Sequence, residues 1–206
     1  MKLVFATGNP HKLQEAQEIL GPGFTLVSPA SLGLTEEIPE TGTTLEANSL
    51  EKADYIFKHL GTDCFADDSG LEVDALNGGP GVYTARYASG EPQYKDNLEK
   101  LLHVLKDVPW EKRTARFRAV VTLIIGNEVK QFEGVLEGRI GTERKGQGGF
   151  GYDPIFIPDE IPDNDGNLIP NTEGIANAEL PEGGKNLISH RGKSVRAMAE
   201  YLKSAK

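Results

Sequence analysis

Short apolar runs and helical-period stretches alternate from the start of the chain. Residues 2–6 (KLVFA) read as a strand, and Thr7-Gly8-Asn9-Pro10 ends it as a turn. From His11 the apolar positions Leu13, Ala16, Ile19 and Leu20 recur at helical spacing, with Gly21 as the stop. Residues 24–28 read as a second strand, so the opening predicts a βαβ unit and an α/β protein. Thr43-Thr44-Leu45-Glu46 reads as a capping box for a helix whose apolar face is Leu45, Ala53, Ile56, Phe57 and Leu60, ending at Gly61. Residues 63–66 read as a short strand that ends in Asp67-Asp68-Ser69-Gly70, and 71–76 as another strand before the loop 77–81. A third amphipathic helix is predicted over 93–107. Two long β-rich runs, 116–125 and 129–140, join at Gly126-Asn127 as an antiparallel hairpin, which makes the sheet mixed. Residues 141–153 form a glycine-rich loop, 154–157 a last strand, and 158–184 a long polar surface loop. A closing helix over 194–203 turns Val195, Met198 and Leu202 inward. No internal repeat is present.

The chain has 206 residues, which fits one domain, or two lobes around one core. No apolar run approaches the roughly eighteen residues of a membrane-spanning helix, so no membrane partner is expected. The N-terminus reads as a strand, not as a signal peptide. The single cysteine, Cys64, excludes an intramolecular disulfide framework, and together these features point to the cytoplasm. The net charge of −9 argues against a nucleic-acid surface, which needs a basic footprint. It leaves room for one nucleotide, because a few lysines and a metal ion make a positive pocket in an acidic protein.

Several familiar motifs fail. Gly192-Lys193-Ser194 resembles the end of a P-loop, but Leu187 stands where a glycine is required. Gly146, Gly148 and Gly151 match a dinucleotide fingerprint, yet Tyr152-Asp153-Pro154 cannot open the helix that such a site needs. Asp163-Asn164-Asp165-Gly166 resembles half of a calcium loop, with Ile161 in its first ligand position. There is no zinc pattern and no nucleophile elbow.

Five segments carry candidate chemistry. Thr7, Gly8, Asn9 and Lys12 sit where a helix start offers free N–H groups to a phosphate. The same residues also make an ordinary capped turn. Asp67 and Asp68 are adjacent carboxylates whose repulsion calls for a cation or a hydrogen-bond network, followed by Ser69. Mg²⁺ binds through one or two carboxylates plus phosphate oxygens, and Glu40 offers another carboxylate. The alternative is a turn in which one Asp caps backbone N–H groups. Lys52 lies one helical turn from Asn48, off the apolar stripe, where a solvated lysine also belongs. In the loop 148–154, glycines allow close approach, Phe150-Gly151-Tyr152 gives a flat stacking face, and Asp153 can accept from a base edge. Lys185, His190 and Arg191 supply donors for a base carbonyl or a phosphate, or simply an exposed helix start.

In order, TGNPHK, ETG, ADDSGL, GGPGVYTARYA, GGFGYDPIF and ISHRGK closely resemble the inosine/xanthosine triphosphate pyrophosphatase family, which acts on non-canonical purine nucleotides. The resemblance runs from Thr7 almost to the C-terminus. It implies an α/β fold with an elongated mixed central sheet and two helical lobes flanking an active-site cleft, as a homodimer. It implies that Thr7 to Lys12 bind phosphate, Glu40 and Asp68 hold Mg²⁺, and Asp68 is the general base. Lys52 then contacts phosphate and Ser69 the substrate. Phe150, Gly151, Tyr152, Asp153, Lys185, His190 and Arg191 fall in the base-recognition segments. Between Pro158 and Lys185 the chain departs from the usual pattern, with a longer link and Gly174-Ile175-Ala176-Asn177 before Ala-Glu-Leu.

The implied reaction is hydrolysis of inosine or xanthosine triphosphates to monophosphate and pyrophosphate, with Asp68, or Asp67, activating water. A pyrophosphatase for modified pyrimidine nucleotides is a rival that the SHRG and FGYD segments oppose. A nucleotide sensor without catalysis is another, opposed by the intact acidic site.

Overall fold

The computed structural model describes residues 1–205. In chain order the elements are β1 (Lys2–Phe5), α1 (Pro10–Leu20), β2 (Thr25–Val27), α2 (Leu45–Leu60), β3 (Cys64–Val73), β4 (Gly79–Pro80), α3 (Asn97–Val104), β5 (Thr114–Ile125), β6 (Glu128–Ile140), β7 (Phe156–Pro158), β8 (Glu160–Pro162), β9 (Leu168–Pro170), α4 (Glu182–Ile188) and α5 (His190–Ser204). The central sheet is mixed. β1 pairs parallel with β2 and β3, whereas β4 on β3 and β7 on β6 run antiparallel. The residues form two compact units, and β3, β5 and β6 contribute to both.

The first unit comprises residues 1–69, 119–134 and the segment from His190 onward. Its strand order is β2-β1-β3-β5-β6. Successive strand residues serve opposite faces, as the two-residue period requires. Leu3, Phe5 and Phe65 pack with Ala16 and Leu20 of α1 and with Val195, Met198 and Leu202 of α5. Val4, Ala6, Cys64 and Ala66 pack on Ala53 and Ile56 of α2. Ser49 of α2 donates to the Ala66 carbonyl at 3.0 Å, fixing the helix against β3. This alternation decides where the next two residues of β3, Asp67 and Asp68, point.

The second unit comprises 70–118 and 135–189, with Leu71, Val73, Leu98, Leu101, Tyr152, Ile155 and Phe156 in its core. Arg113 is buried there, and among the described residues no carboxylate pairs with it. Its guanidinium donates to the carbonyls of Leu105 (2.5 Å), Ile140 (2.8 Å), Gly141 (2.7 Å) and Val108 (3.2 Å). Four neutral acceptors satisfy the buried group, as buried polar atoms require.

Several expectations need correction. Asp67 to Gly70 do not end a strand. β3 runs unbroken from Cys64 to Val73, and 74–76 form a 3₁₀ turn instead of a strand. Thr44, not Thr43, caps α2 by accepting from Ala47 N at 3.0 Å, so the third helical residue is an alanine and no reciprocal capping box forms. Helix α3 starts at Asn97, later than 93, because Asp96 accepts from Glu99 N at 2.8 Å. The segment 158–184 is not one loop. It holds the β8–β9 hairpin, whose turn is closed by Asp163 Oδ1 accepting from Asp165 N and Asn167 N, both at 2.9 Å. Its sequel is pinned by Asn171, which donates to the Pro158 and Ile175 carbonyls. Helix α4 was not predicted, and α5 begins at His190, four residues before the expected start. The 126–127 hairpin stands as expected, with Gly126 at φ 56° in the turn.

Candidate active site

In the first unit, α1 starts where its caps dictate. Asn9 Oδ1 accepts from His11 N at 2.9 Å, and Thr7 Oγ1 accepts from Asn9 N at 3.1 Å. A side chain on Gly8 would meet nothing within 4 Å, so the protein's own packing does not demand a glycine there. Lys12, one turn in, brings its Nζ to 3.6 Å from Asp67 Oδ2.

The adjacent carboxylates separate onto opposite faces of β3. Asp67 is buried on the α1 and α5 side, and its Oδ2 also accepts from Arg191 Nε at 3.1 Å. Burial alone pushes its pKa up, but the charges of Lys12, Arg191 and Lys52 outweigh this and hold it down at about 2. Asp68 lies on the α2 side. Burial pushes its pKa up and the negative Glu40 adds to this, against the lowering effect of Lys52 and a hydrogen bond from Asn48. One carboxylate is thus locked as an anion, and its neighbour is the more basic of the two.

Lys52 is mostly buried. Its Nζ lies 2.6 Å from Glu40 Oε1 and 4.0 Å from Asp68 Oδ1. Glu40 reaches it because the following residues are strapped to α2. Thr41 donates to Glu51 through N and Oγ1, both at 2.6 Å, and Gly42 N donates to Asn48 Oδ1 at 2.7 Å. A Cβ on Gly42 would lie 2.8 Å from that of Ala47, so the strap closes only with glycine. Among the described residues, no group of three or more His, Cys, Asp or Glu gathers as a metal cage. Glu40 and Asp68 nevertheless fit a divalent cation. Both face one ammonium group, the charge of Glu40 raises the cost of ionising Asp68, and a two-carboxylate site suits a metal that also takes substrate oxygens.

Ser69 follows on β3, half-buried. At the start of α5, exclusion of the His190 ring from water, helped by the neighbouring Arg191 charge, drives its pKa down to about 3. Its backbone is held by β6. A Cβ on Gly134 would run into the His190 carbonyl and lie 2.6 Å from Ser194 N.

The second unit carries the remaining candidates. Phe150 is 92% exposed and offers a free ring. Tyr152 does not share that stacking face, contrary to expectation. It is buried and its hydroxyl donates to the Thr84 carbonyl at 2.7 Å, so its ring is core. Gly151 takes φ 58° between them. The Asp153 carboxylate accepts from Phe150 N and from Asn177 Nδ2, each at 2.9 Å. Lys185, on α4, is half-buried.

The structure adds Asn48, Gly134 and Asn177 to the candidates. A signal for Gly134 existed, since a lone glycine inside a strand marks close backbone approach. Asn48, a buried amide one turn before Lys52, had no comparable signal.

The Ham1 family profile matches residues 3–201. A dITP/XTP pyrophosphatase of Porphyromonas gingivalis is 47% identical over 206 residues, covering all of this chain and 99% of that one. One from Bacillus subtilis is 44% identical over 98% of this chain and 96% of its own. Among solved structures, the Staphylococcus aureus Ham1 protein superposes with a TM-score of 0.86 at 34% identity, over the whole of both chains. A nucleoside-triphosphatase / dITP/XTP pyrophosphatase of Mycobacterium abscessus gives 0.77 at 41% identity, over 98% of this chain and 99% of that one. With matches that run end to end in both sequence and structure, this chain belongs to the Ham1 family.

Proposed function

We infer that this chain is a hydrolase that cleaves non-canonical purine nucleoside triphosphates, such as those of inosine, deoxyinosine and xanthosine, to the monophosphate and pyrophosphate. The observation that carries the reading is the division of labour in β3, where Asp67 is locked as an anion and Asp68 faces Lys52 and Glu40 with a raised pKa. The end-to-end likeness to two dITP/XTP pyrophosphatases supports it.

In this reading the start of α1 and Lys12 bind the phosphate chain, through free N–H groups and charge. Lys52 neutralises the pyrophosphate leaving group. Asp68 orients a water and takes its proton as the water attacks the α-phosphorus, a task for which the more basic carboxylate is suited. Glu40 and Asp68 would hold Mg²⁺, which would supply positive charge to the phosphate oxygens. Phe150 stacks on the base, and Asp153, Lys185, His190 and Arg191 address its edge. His190 and Arg191 donate to the 6-oxo group, where adenine carries a donor of its own. A buried donor left unpaired rejects the wrong base. The reading includes a homodimer in the cytoplasm.

Hydrolysis in ¹⁸O-water, with Mg²⁺ or with EDTA, tests this directly. The label is expected in the monophosphate, and only with the metal. Label in orthophosphate or pyrophosphate, or full activity in EDTA, would refute the reaction proposed.

A further inference from the structure

In the second unit the Asp153 carboxylate is fixed at both oxygens. Oδ2 accepts from Phe150 N at 2.9 Å and Oδ1 from Asn177 Nδ2 at 2.9 Å. The backbone around it is tied as well. Ala178 N donates to the Asp153 carbonyl at 3.1 Å, and Gly148 N donates to the Ala178 carbonyl at 3.2 Å. Gly149, at φ 82°, lies so close that a Cβ there would run into the carboxylate. Asn177 itself is only 8% exposed. Its Oδ1 is the one buried side-chain oxygen or nitrogen without a hydrogen bond among the described residues. A buried acceptor left unused costs stability and offsets much of what the amide's one hydrogen bond contributes to the fold. What the amide achieves is the bond to Asp153.

We propose that Asn177 is a positioning residue for base selection, whose amide holds the Asp153 carboxylate in the orientation that accepts the N1–H of a 6-oxopurine. The inference rests on the function proposed above. A carboxylate has about four lone-pair sites, and Phe150 N and Asn177 Nδ2 occupy two of them. The remaining pair then points in a set direction. Ring N1 carries a hydrogen in hypoxanthine and xanthine and is a bare acceptor in adenine. A fixed carboxylate therefore attracts the former and repels the latter, while a rotating one adapts to both. Asn177 does not touch the nucleotide and acts through Asp153. It lies in the stretch 174–177 that departs from the family's usual pattern, so the motifs alone do not single it out.

Steady-state kinetics on dITP and ATP test the inference, with the wild type, Asn177→Ala and Asn177→Ser, and thermal unfolding recorded for each. A wild type that does not prefer dITP would defeat the proposed function, and this inference with it. Given that preference, Asn177→Ala is expected to lower the dITP-over-ATP ratio of kcat/KM about tenfold. The loss should fall on KM for dITP, with kcat changed by no more than about twofold. The unfolding midpoint should hold, because the substitution also removes the unused acceptor. Asn177→Ser, which keeps a donor, should recover part of the ratio. An unchanged ratio in folded Asn177→Ala would overturn the inference. So would an equal fall in kcat for both nucleotides, or failure of both variants to fold, since either makes the residue merely structural.

Discussion

Arg191 Nε donates to Asp67 Oδ2 at 3.1 Å, joining the first turn of α5 to the middle of β3 across 124 positions of sequence. The same oxygen lies 3.6 Å from Lys12 Nζ. One buried carboxylate thus orders a cation from the first turn of α1 and a cation from the first turn of α5. Held at about 2, Asp67 has no proton to exchange near neutral pH, and its contribution is to place Lys12 and Arg191.

Replacing Asp67 with Asn should therefore cost stability before anything else. Lys12 and Arg191 would be left facing each other around a neutral amide. Both are partly exposed, so the loss should be at the low end for a broken buried pair, about 3 kcal/mol in urea unfolding. A variant as stable as the wild type would remove this role.

Asp68→Asn should show the opposite signature. Turnover should fall by about 10³-fold, within the range for loss of a general base. Dissociation constants for the uncleaved nucleotide, from calorimetry without Mg²⁺, should stay close to the wild type. Stability should hold, because the substitution relieves repulsion from Glu40. Near-normal turnover in this variant would transfer the base role elsewhere.

His190 predicts a pH dependence of stability. Its folded pKa is depressed to about 3 from 6.5, so the unfolded chain takes up the proton first as pH falls. The stabilisation is complete above pH 6.5 and declines toward pH 3, by at most about 1.4 kcal/mol per unit. Asp67, also depressed, adds to the decline only below about pH 4. Urea midpoints between pH 7 and pH 5 should fall for the wild type and flatten for His190→Gln. Parallel curves would show that other groups set the slope.

Gly134→Ala should disturb the start of α5 from a distance. The new Cβ would press on the His190 carbonyl and Ser194 N, both backbone atoms that cannot rotate away. Overpacking of this kind costs about 1–3 kcal/mol. Because His190 and Arg191 ride on the displaced turn, kcat/KM for dITP should fall along with the unfolding midpoint. A stability loss with unchanged kcat/KM would mean that α5 yields without moving them.

Much of this was legible in sequence. The glycine at position 61, the hairpin at 126–127 and the cap at Asn9 lie where local chemistry fixes them, whereas the cap of α2 falls one residue later than the expected box, at Thr44. The ordered motifs brought Thr7, Lys12, Glu40, Lys52, Asp68 and Arg191 into view. What sequence did not reveal depends on contacts between distant segments. Asp67 and Asp68 look like a strand end, since two adjacent acids in a strand are costly. The strand continues because alternation sends one to Lys12 and Arg191 and the other to Lys52 and Asn48. Tyr152 reads as a stacking ring until Thr84, 68 positions away, takes its hydroxyl. The order in 158–184 depends on Asp163 and Asn171 bonding to backbone, which composition cannot distinguish from a mobile loop.

The most direct test of the account is a side-by-side hydrolysis assay on dITP, XTP, ATP and GTP with Mg²⁺, resolving pyrophosphate from orthophosphate. Pyrophosphate and monophosphate are expected from dITP and XTP, at a kcat/KM far above those for ATP and GTP. Orthophosphate as the product, or equal use of all four nucleotides, would contradict it.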